Sequence, residues 1–190
     1  QAKGILQWDV HLKGKSAHGS RPWEGVNAIE KAMLFDQDLR KCSFMQASNE
    51  YYEYPSLNLA KIEGGDRYNM VPDECIISYS LRFVPGQDVE EISKELRSLL
   101  EKYPGSEIHF QGHTPAITNK EDDKYIQKLL ATCNAIRQTP TTLFGQHGAA
   151  DTRYYAAKGA VAIEFGPSGS DWHGDQESVS ISSVEEYKDI

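Results

Sequence analysis

The segment Ile5-Leu6-Gln7-Trp8-Asp9-Val10-His11-Leu12-Lys13 alternates apolar and polar residues over most of its length. Successive side chains of a β-strand point to opposite faces of a sheet, so this alternation predicts a strand that buries Trp8 and its apolar neighbours on one face. Gly14 ends the pattern. The other elements are placed relative to this first strand.

The chain between this strand and residue 112 predicts five further elements. They are a helix at 26–42, strands at Ser56–Ile62 and Cys75–Phe83, a helix at Val89–Tyr103 and a strand at Glu107–Gln111. A glycine- and proline-containing turn joins the two middle strands, so they are expected to pair antiparallel. The order β-α-β-β-α-β is that of the split βαβ, ferredoxin-like domain, a four-stranded antiparallel sheet with both helices on one face. The fold class is therefore α+β over residues 1–113.

Residues 114–190 have a different pattern, in which short helices and strands alternate. The predicted elements are a helix at Asp122–Ile136, a strand at Thr141–Phe144, a small helix at Ala149–Lys158, a buried strand at Ala160–Phe165 and a last helix from Ser183. This alternation is typical of a parallel sheet covered by helices. Two strands leave their faces and edges uncovered. We therefore expect this tail to complete a larger α/β domain whose other part is absent from the chain.

Composition excludes several classes of function. The net charge is −8, so a nucleic-acid backbone or an anionic membrane surface is not an expected partner. The sequence contains no apolar run long enough to span a bilayer. Its three cysteines, Cys42, Cys75 and Cys133, are widely spaced and form no Cys-x-x-Cys pair. This spacing favours neither a disulfide framework nor a cysteine zinc site, and fits the reducing cytoplasm.

Two histidines lie in turn-forming segments of small residues, which leaves an imidazole free to meet a ligand. His18 follows the first predicted strand, and His173 lies in a loop directly after a predicted buried strand. Loops at the carboxyl ends of strands bind ligands in open α/β sheets. A locally hydrogen-bonded surface histidine remains the alternative for both. One histidine is also not a metal site, since zinc needs three or four protein ligands.

Three polar residues are further candidates, each with an ordinary alternative. Asn69 could assist a reaction or simply tolerate unusual backbone angles in a turn. Arg82 shares a strand face with small serines, where it could meet a carboxylate or be solvated. Arg153 lies near the start of a predicted helix, where backbone N–H groups can hold an anion.

Three groups of segments carry a resemblance to a known family. They are Ser16-Ala17-His18 with Pro22, Gly25 and Asn27-Ala28-Ile29; Gly64-Gly65 with Asn69-Met70-Val71-Pro72-Asp73-Glu74-Cys75 and Leu81-Arg82-Phe83-Val84-Pro85-Gly86; and Gly148–Arg153 with Gly166-Pro167, His173 and Glu177. Together, and in this order, they resemble the M20 family of metallopeptidases and amidohydrolases. That group contains acetylornithine deacetylase, succinyl-diaminopimelate desuccinylase and carboxypeptidase G2-like enzymes.

The resemblance implies a lid, or dimerisation, domain followed by the C-terminal part of a zinc-dependent catalytic domain. It implies a homodimer in which His18 reaches the partner's active site and stabilises the oxyanion of amide hydrolysis. Asn69 would assist there, Arg82 would bind the substrate carboxylate, and Arg153 would help to position it. His173 would be the last ligand of a two-zinc centre. The implied substrates are N-acyl amino acids or small peptides.

The resemblance also implies that this chain alone is inactive. The family's other metal ligands and its general base would lie before residue 1. The chain departs from the family at Ala149-Ala150, where a Thr or Ser often precedes the acid. Two other functions stay open: a non-enzymatic dimerisation module, and a small-ligand-binding module of ferredoxin-like type. A dimerisation module would not need His18, Asn69 and Arg82, and a ligand-binding module would leave the Gly166–Glu177 loop unexplained.

Overall fold

The computed structural model of the chain describes residues 1–137, 140–148 and 150–190. Its elements are β1 (Gly4–Lys13), α1 (Ala28–Leu39), β2 (Ser56–Gly64), β3 (Glu74–Phe83), α2 (Val89–Leu100), β4 (Glu107–Thr114), α3 (Lys124–Arg137), α4 (Arg153–Ala156), β5 (Gly169–Ser170), β6 (Ser178–Val179) and α5 (Ile181–Asp189). Short 3-10 turns lie at Pro22–Glu24 and Ser43–Gln46. Among these described residues, no helix has the length and apolar character needed to cross a membrane.

Strands β1 to β4 form one antiparallel sheet in the order β2-β3-β1-β4. The central strand β1 pairs along its full length with β3, from Gly4 opposite Phe83 to Lys13 opposite Glu74. Residues on one face of β1 are buried and alternate with more exposed ones, as the sequence pattern requires. The predicted α+β, ferredoxin-like fold of residues 1–113, called the lid below, is confirmed.

Both lid helices pack on the same face of this sheet, and each begins at a side-chain cap. The Asn27 side chain accepts hydrogen bonds from two main-chain N–H groups of α1, and the Asp88 side chain accepts one from α2. The core comprises the inward face of β1 and β3 with the buried sides of the helices: Leu6, Trp8, Val10, Leu12, Ile77, Tyr79, Leu81, Ala32, Phe35, Leu39, Ile92 and Leu96. Burial of this contiguous apolar set stabilises the lid.

The fourth strand is longer than predicted and ends at Thr114 instead of Gln111. Its pairing with β1 shifts register between Gln7 and Trp8, where β4 carries one extra residue. Such a bulge interrupts the alternation from which a strand is recognised in a sequence.

The tail differs from its prediction. Residues 141–144 and 160–165 belong to no strand, because each lacks a neighbouring strand to pair with. Of the predicted helix at 149–158, α4 covers Arg153–Ala156, and Ala149 lies outside the described residues. The last helix begins at Ile181, two residues earlier than predicted, after the cap Ser180.

The tail packs more loosely than the lid. The buried apolar side chains among its described residues are few: Ile117, Ile126, Cys133 and Ala162. A cavity of about 530 Å³ lies between α3 and the extended residues 140–144 and 162–167. Large apolar side chains such as Phe144 and Trp172 remain exposed. Exposed apolar surface of this kind usually marks a contact that another structural element covers.

Candidate functional site

The structure brings the His18 and Asn69 loops together at one end of the lid sheet. The main-chain N–H of Gly19 donates to the carbonyl oxygen of Asn69 at 2.7 Å, and that of Val71 donates to Ala17 at 2.9 Å. His18 and Met70 form an isolated antiparallel bridge between these bonds. Two segments that are far apart in sequence are thus held in fixed register. The two candidate residues, His18 and Asn69, therefore belong to adjacent loops.

Gly19 permits this close approach. A Cβ atom built at Gly19 would lie 2.9 Å from the carbonyl carbon of Asn69, a backbone atom that has no free rotation. Side chains larger than hydrogen therefore force the two loops apart. The glycine of the Ser-Ala-His-Gly segment is explained by steric contact with the Asn69 loop.

We expect Gly19→Ala to destabilise the chain by about 1–3 kcal/mol, the usual cost of forcing an extra group into a packed site. The matched control is Gly166→Ala, because a Cβ there meets nothing within 4 Å. That control should be neutral or slightly stabilising, since alanine restricts the unfolded chain. Urea unfolding followed by circular dichroism measures both. Equal midpoints for the two variants would contradict the steric explanation.

The imidazole of His18 is exposed, and its environment selects one tautomer. The main-chain N–H of Ser20 donates to Nδ1 at 3.2 Å, and the Ser20 hydroxyl lies 2.8 Å from the same nitrogen. A main-chain N–H can only donate, so Nδ1 of the neutral ring is the acceptor and the proton lies on Nε2. No protein group within the described ranges hydrogen-bonds to Nε2. His18 therefore presents a free N–H donor to solvent, and the side chain of Asn69 is also exposed.

Arg82 lies at the opposite end of the sheet from this pair. It is on β3 between Ile5 of β1 and Ser56 of β2. Its Nη1 atom is buried and has no hydrogen-bond partner in the described part of the chain. An unpaired guanidinium nitrogen favours an anionic ligand such as a carboxylate. Eight residues of antiparallel strand separate Arg82 from Glu74, about 27 Å at about 3.4 Å per residue.

Arg153 and His173 lie in the tail, in different surroundings. The Arg153 guanidinium donates to the Ala150 carbonyl at 3.2 Å and to the Tyr154 hydroxyl at 3.1 Å, and it lies 3.6 Å from the Asp151 carboxylate. It is therefore paired within its own turn. His173 is exposed in the loop between β5 and β6, with a positive φ of 65°. That angle is uncommon for a non-glycine residue.

The tail loop around His173 does not assemble a metal centre with other described residues. Within residues 1–137, 140–148 and 150–190, no group of three or more His, Cys, Asp and Glu side chains is placed to hold a metal ion. Zinc takes four ligands in structural sites and three protein ligands in catalytic ones. The groups present here therefore do not fit a zinc centre by themselves.

Two buried residues that join the lid to the tail were not among the residues predicted from the sequence. Lys3 and Tyr52 are each 2% exposed; Lys3 directly precedes β1, and Tyr52 lies in the loop before β2. The signal in the sequence was a lysine directly before a strand predicted to be half buried. A lysine buried at such a position is unusual, because charged side chains are rarely buried. The signal does not identify the partner of that lysine.

Comparison with known proteins finds similarity to peptidases and amidohydrolases. The M20 model described as a peptidase dimerisation domain matches residues 1–107. A succinyl-diaminopimelate desuccinylase of Colwellia psychrerythraea is 27% identical over 99% of this chain and 48% of its own length. An acetylornithine deacetylase of Aliivibrio salmonicida is 35% identical over 54% of this chain and 30% of its own. The chain thus spans about half the length of the first of these relatives.

Solved structures have the same fold. A tripeptidase from Staphylococcus aureus superposes with a TM-score of 0.80 at 20% identity, over 99% of this chain and 50% of its own. An M20 family metallo-carboxypeptidase from Sulfolobus solfataricus gives a TM-score of 0.63 at 15% identity, over 83% of this chain and 55% of its own. The likeness extends through the tail in the first case.

Proposed function

Because the chain belongs to the M20 peptidase dimerisation family, we propose that it is the lid and C-terminal segment of a hydrolase that cleaves amide or peptide bonds. Residues 1–113 are the lid, and residues 114–190 complete a catalytic domain whose other half lies outside this chain. The names of the relatives, a desuccinylase, a deacetylase and a tripeptidase, support N-acyl amino acids or small peptides as substrates. The free, buried cysteines support a location in the cytoplasm.

The paired loops of His18 and Asn69 are the observation that carries this proposal. When water attacks an amide carbonyl, negative charge develops on the carbonyl oxygen, and fixed N–H donors stabilise it. The Nε2–H of His18 and the side-chain amide of Asn69 would supply donors to this oxygen. Arg82, with its unpartnered Nη1, would bind the carboxylate of the substrate. Arg153 is bonded within its own turn, so its role is to position the neighbouring loop or carboxylate.

His18 and Arg82 would serve two different active sites. His18 lies beside Met70, before the start of β3, and Arg82 lies near the end of β3, about 27 Å along the strand, so the two are too far apart to contact one small substrate within the same subunit. A homodimer resolves this, because the lid of one subunit then brings His18 and Asn69 to the active site of the other. The separation along the strand thus supports function as a dimer.

Strand β2 and the adjacent side of α1 form the proposed dimer surface. In the described sheet β2 pairs only with β3, so its other edge is free to pair with a second copy. Met33 of α1 and Ile62 of β2 are about half exposed, and Ile29, one turn before Met33, lies beside the loop after β2. Pairing of two β2 edges about a two-fold axis would bury both the free strand edge and these apolar side chains.

We expect the double substitution Met33→Lys and Ile62→Lys to weaken dimerisation by at least about a hundredfold, because a two-fold axis brings like charges together. Sedimentation velocity over a dilution series measures the dissociation constant. The matched control is Tyr125→Lys, which places a lysine at an exposed aromatic residue of α3. A double variant that dimerises as tightly as this control would exclude the β2 and α1 surface.

Zinc belongs to the complete enzyme in this proposal, at two ions per active site. The described residues do not fit a metal centre by themselves. His173 would be the single ligand from this chain, and the remaining ligands and the general base would come from the other half.

The test compares this chain with a longer protein that restores the other half. Zinc content is measured by metal analysis, and hydrolysis is assayed with N-acyl amino acids and dipeptides. About two zinc ions and activity in the longer protein only would support the proposal. An inactive, metal-free longer protein would overturn it in favour of a non-enzymatic dimerisation or ligand-binding module.

A further inference from the structure

The lid contacts the tail through a small buried junction. Its main chain forms a three-stranded patch, in which Ala2 exchanges hydrogen bonds with Ile117 at 3.1 and 2.9 Å, and the N–H of Gln146 donates to Gln1 at 2.9 Å. The N–H of Lys3 donates to Gln146 at 3.4 Å. Residues from the start of the lid and from two tail segments therefore meet here.

Tyr52 links the lid to both sides of this patch through its side chain. Its hydroxyl lies 2.9 Å from the carbonyl oxygen of Gln1 and 3.0 Å from that of Gln146. Carbonyl oxygens only accept, so the single hydroxyl hydrogen is shared between the two. Burial raises the pKa of this hydroxyl to about 12, and nearby Glu164 adds to the effect, so it stays protonated and able to donate at neutral pH.

The position of the Tyr52 ring is also fixed. The side chain of Asn49 accepts hydrogen bonds from the N–H groups of Tyr51 and Tyr52, both at 3.0 Å, which shapes the turn that presents the ring. The ring packs edge-on against the imidazole of His147, with the two ring centroids 5.5 Å apart. A Cβ built at Gly145 would lie 2.5 Å from it, so the tail backbone is in direct contact with the ring.

Lys3 completes the junction from below the ring. Its ammonium group donates to the carbonyl of Tyr54 at 2.7 Å and lies 5.3 Å from the centroid of the Tyr52 ring. No carboxylate within the described ranges forms an ion pair with it. Carbonyl and aromatic contacts thus hold this buried cation against the Tyr52–Tyr54 loop, while the main-chain N–H of Lys3 donates to Gln146 of the tail.

The junction connects two segments that carry candidate substrate-binding residues. The Tyr52 loop leads directly into β2, whose first residue, Ser56, lies opposite Arg82. On the tail side, Gln146 and His147 lead into the segment that ends at Arg153. We propose that Tyr52 and Lys3 are positioning residues that fix the lid on the tail and so set the distance between Arg82 and Arg153. This inference rests on the proposed function only for the roles of the two arginines.

The decisive variant is Tyr52→Phe in the complete enzyme, because it removes the hydroxyl and keeps the ring contacts. We expect KM for an N-acyl amino acid to rise about threefold to tenfold, the equivalent of one neutral hydrogen bond, while kcat changes less than about twofold. Lys3→Met should raise KM in the same way. The matched control is Tyr54→Phe, since the Tyr54 side chain is exposed and only its carbonyl takes part in the junction.

Hydrogen exchange supplies a readout that does not depend on activity. The amides of Lys3 and Gln146 should exchange faster in Tyr52→Phe than in Tyr54→Phe, because the tie that holds their partners is lost. Equal KM values and equal exchange rates for Tyr52→Phe and Tyr54→Phe would overturn the positioning role. If the wild-type enzyme is active in the same assay, that result leaves the proposed function intact. A wild-type enzyme that hydrolyses no substrate would instead overturn the proposed function, and the exchange rates would still decide whether Tyr52 ties the lid to the tail.

Discussion

Trp8→Ala is expected to lower the free energy of unfolding by about 3–5 kcal/mol, the range for truncating a large buried aromatic side chain. Trp8 is fully buried at the centre of the sheet, opposite Tyr79 on one side and Phe110 on the other. Its ring stacks on Tyr79 with centroids 5.3 Å apart. The cavity left behind would be bounded by paired strands that have little freedom to collapse. A loss of this size is a large share of the total stability of a domain.

Two further tryptophan variants make this prediction specific. Trp23→Ala removes an exposed ring of the same size and should change stability by less than about 0.5 kcal/mol. Trp8→Phe should cost less than Trp8→Ala, because it keeps most of the packing and removes Nε1, which is buried without a hydrogen-bond partner. Urea unfolding monitored by circular dichroism gives all three values. A Trp8→Ala variant as stable as Trp23→Ala would place Trp8 outside the core.

The lid could be predicted from the sequence because each of its elements has a local signal. Alternation around Trp8 marks a strand that is half buried, and the apolar spacing after Asn27 marks one side of a helix. The error at the end of β4 came from a bulge, which depends on pairing with β1 and has no local signal. The tail was harder, since its apolar residues 160–165 read as a buried strand, but no strand among the described residues pairs with them. Extended backbone becomes a strand only when a neighbour pairs with it.

The sequence indicated the candidate residues of the site but not their arrangement. His18 and Asn69 were identified separately, and the main-chain hydrogen bonds between the Ala17–Gly19 and Asn69–Val71 segments bring their backbones together. Periodicity likewise gives the face of β3 on which Arg82 lies, but not the missing hydrogen-bond partner of its Nη1. Lys3 and Tyr52 were not predicted from the sequence, because their hydrogen bonds join residues that are 51 and 94 positions apart. Contacts of that kind depend on the tertiary fold.

His18→Ala in the complete enzyme is expected to reduce kcat by about 10²–10³, the cost of removing one oxyanion donor. Metal content should stay unchanged, because His18 donates a hydrogen bond and binds no metal in this mechanism. His18→Gln should recover part of the loss, since its amide can still donate. The control is His109→Ala, an exposed histidine of β4 whose ring lies 3.3 Å from Glu107. Loss of zinc from His18→Ala would contradict the assignment.

A mixed dimer tests whether His18 acts on the partner's active site. In a dimer of one His18→Ala subunit and one His173→Ala subunit, the site with an intact His173 receives the intact His18 of its partner. Random pairing should then restore about a quarter of wild-type activity, because half of the dimers are mixed and each has one complete site. If His18 served its own subunit, neither site of the mixed dimer would be complete and co-expression would restore nothing. Activity recovered from two inactive variants would therefore establish both the dimer and the direction in which His18 reaches.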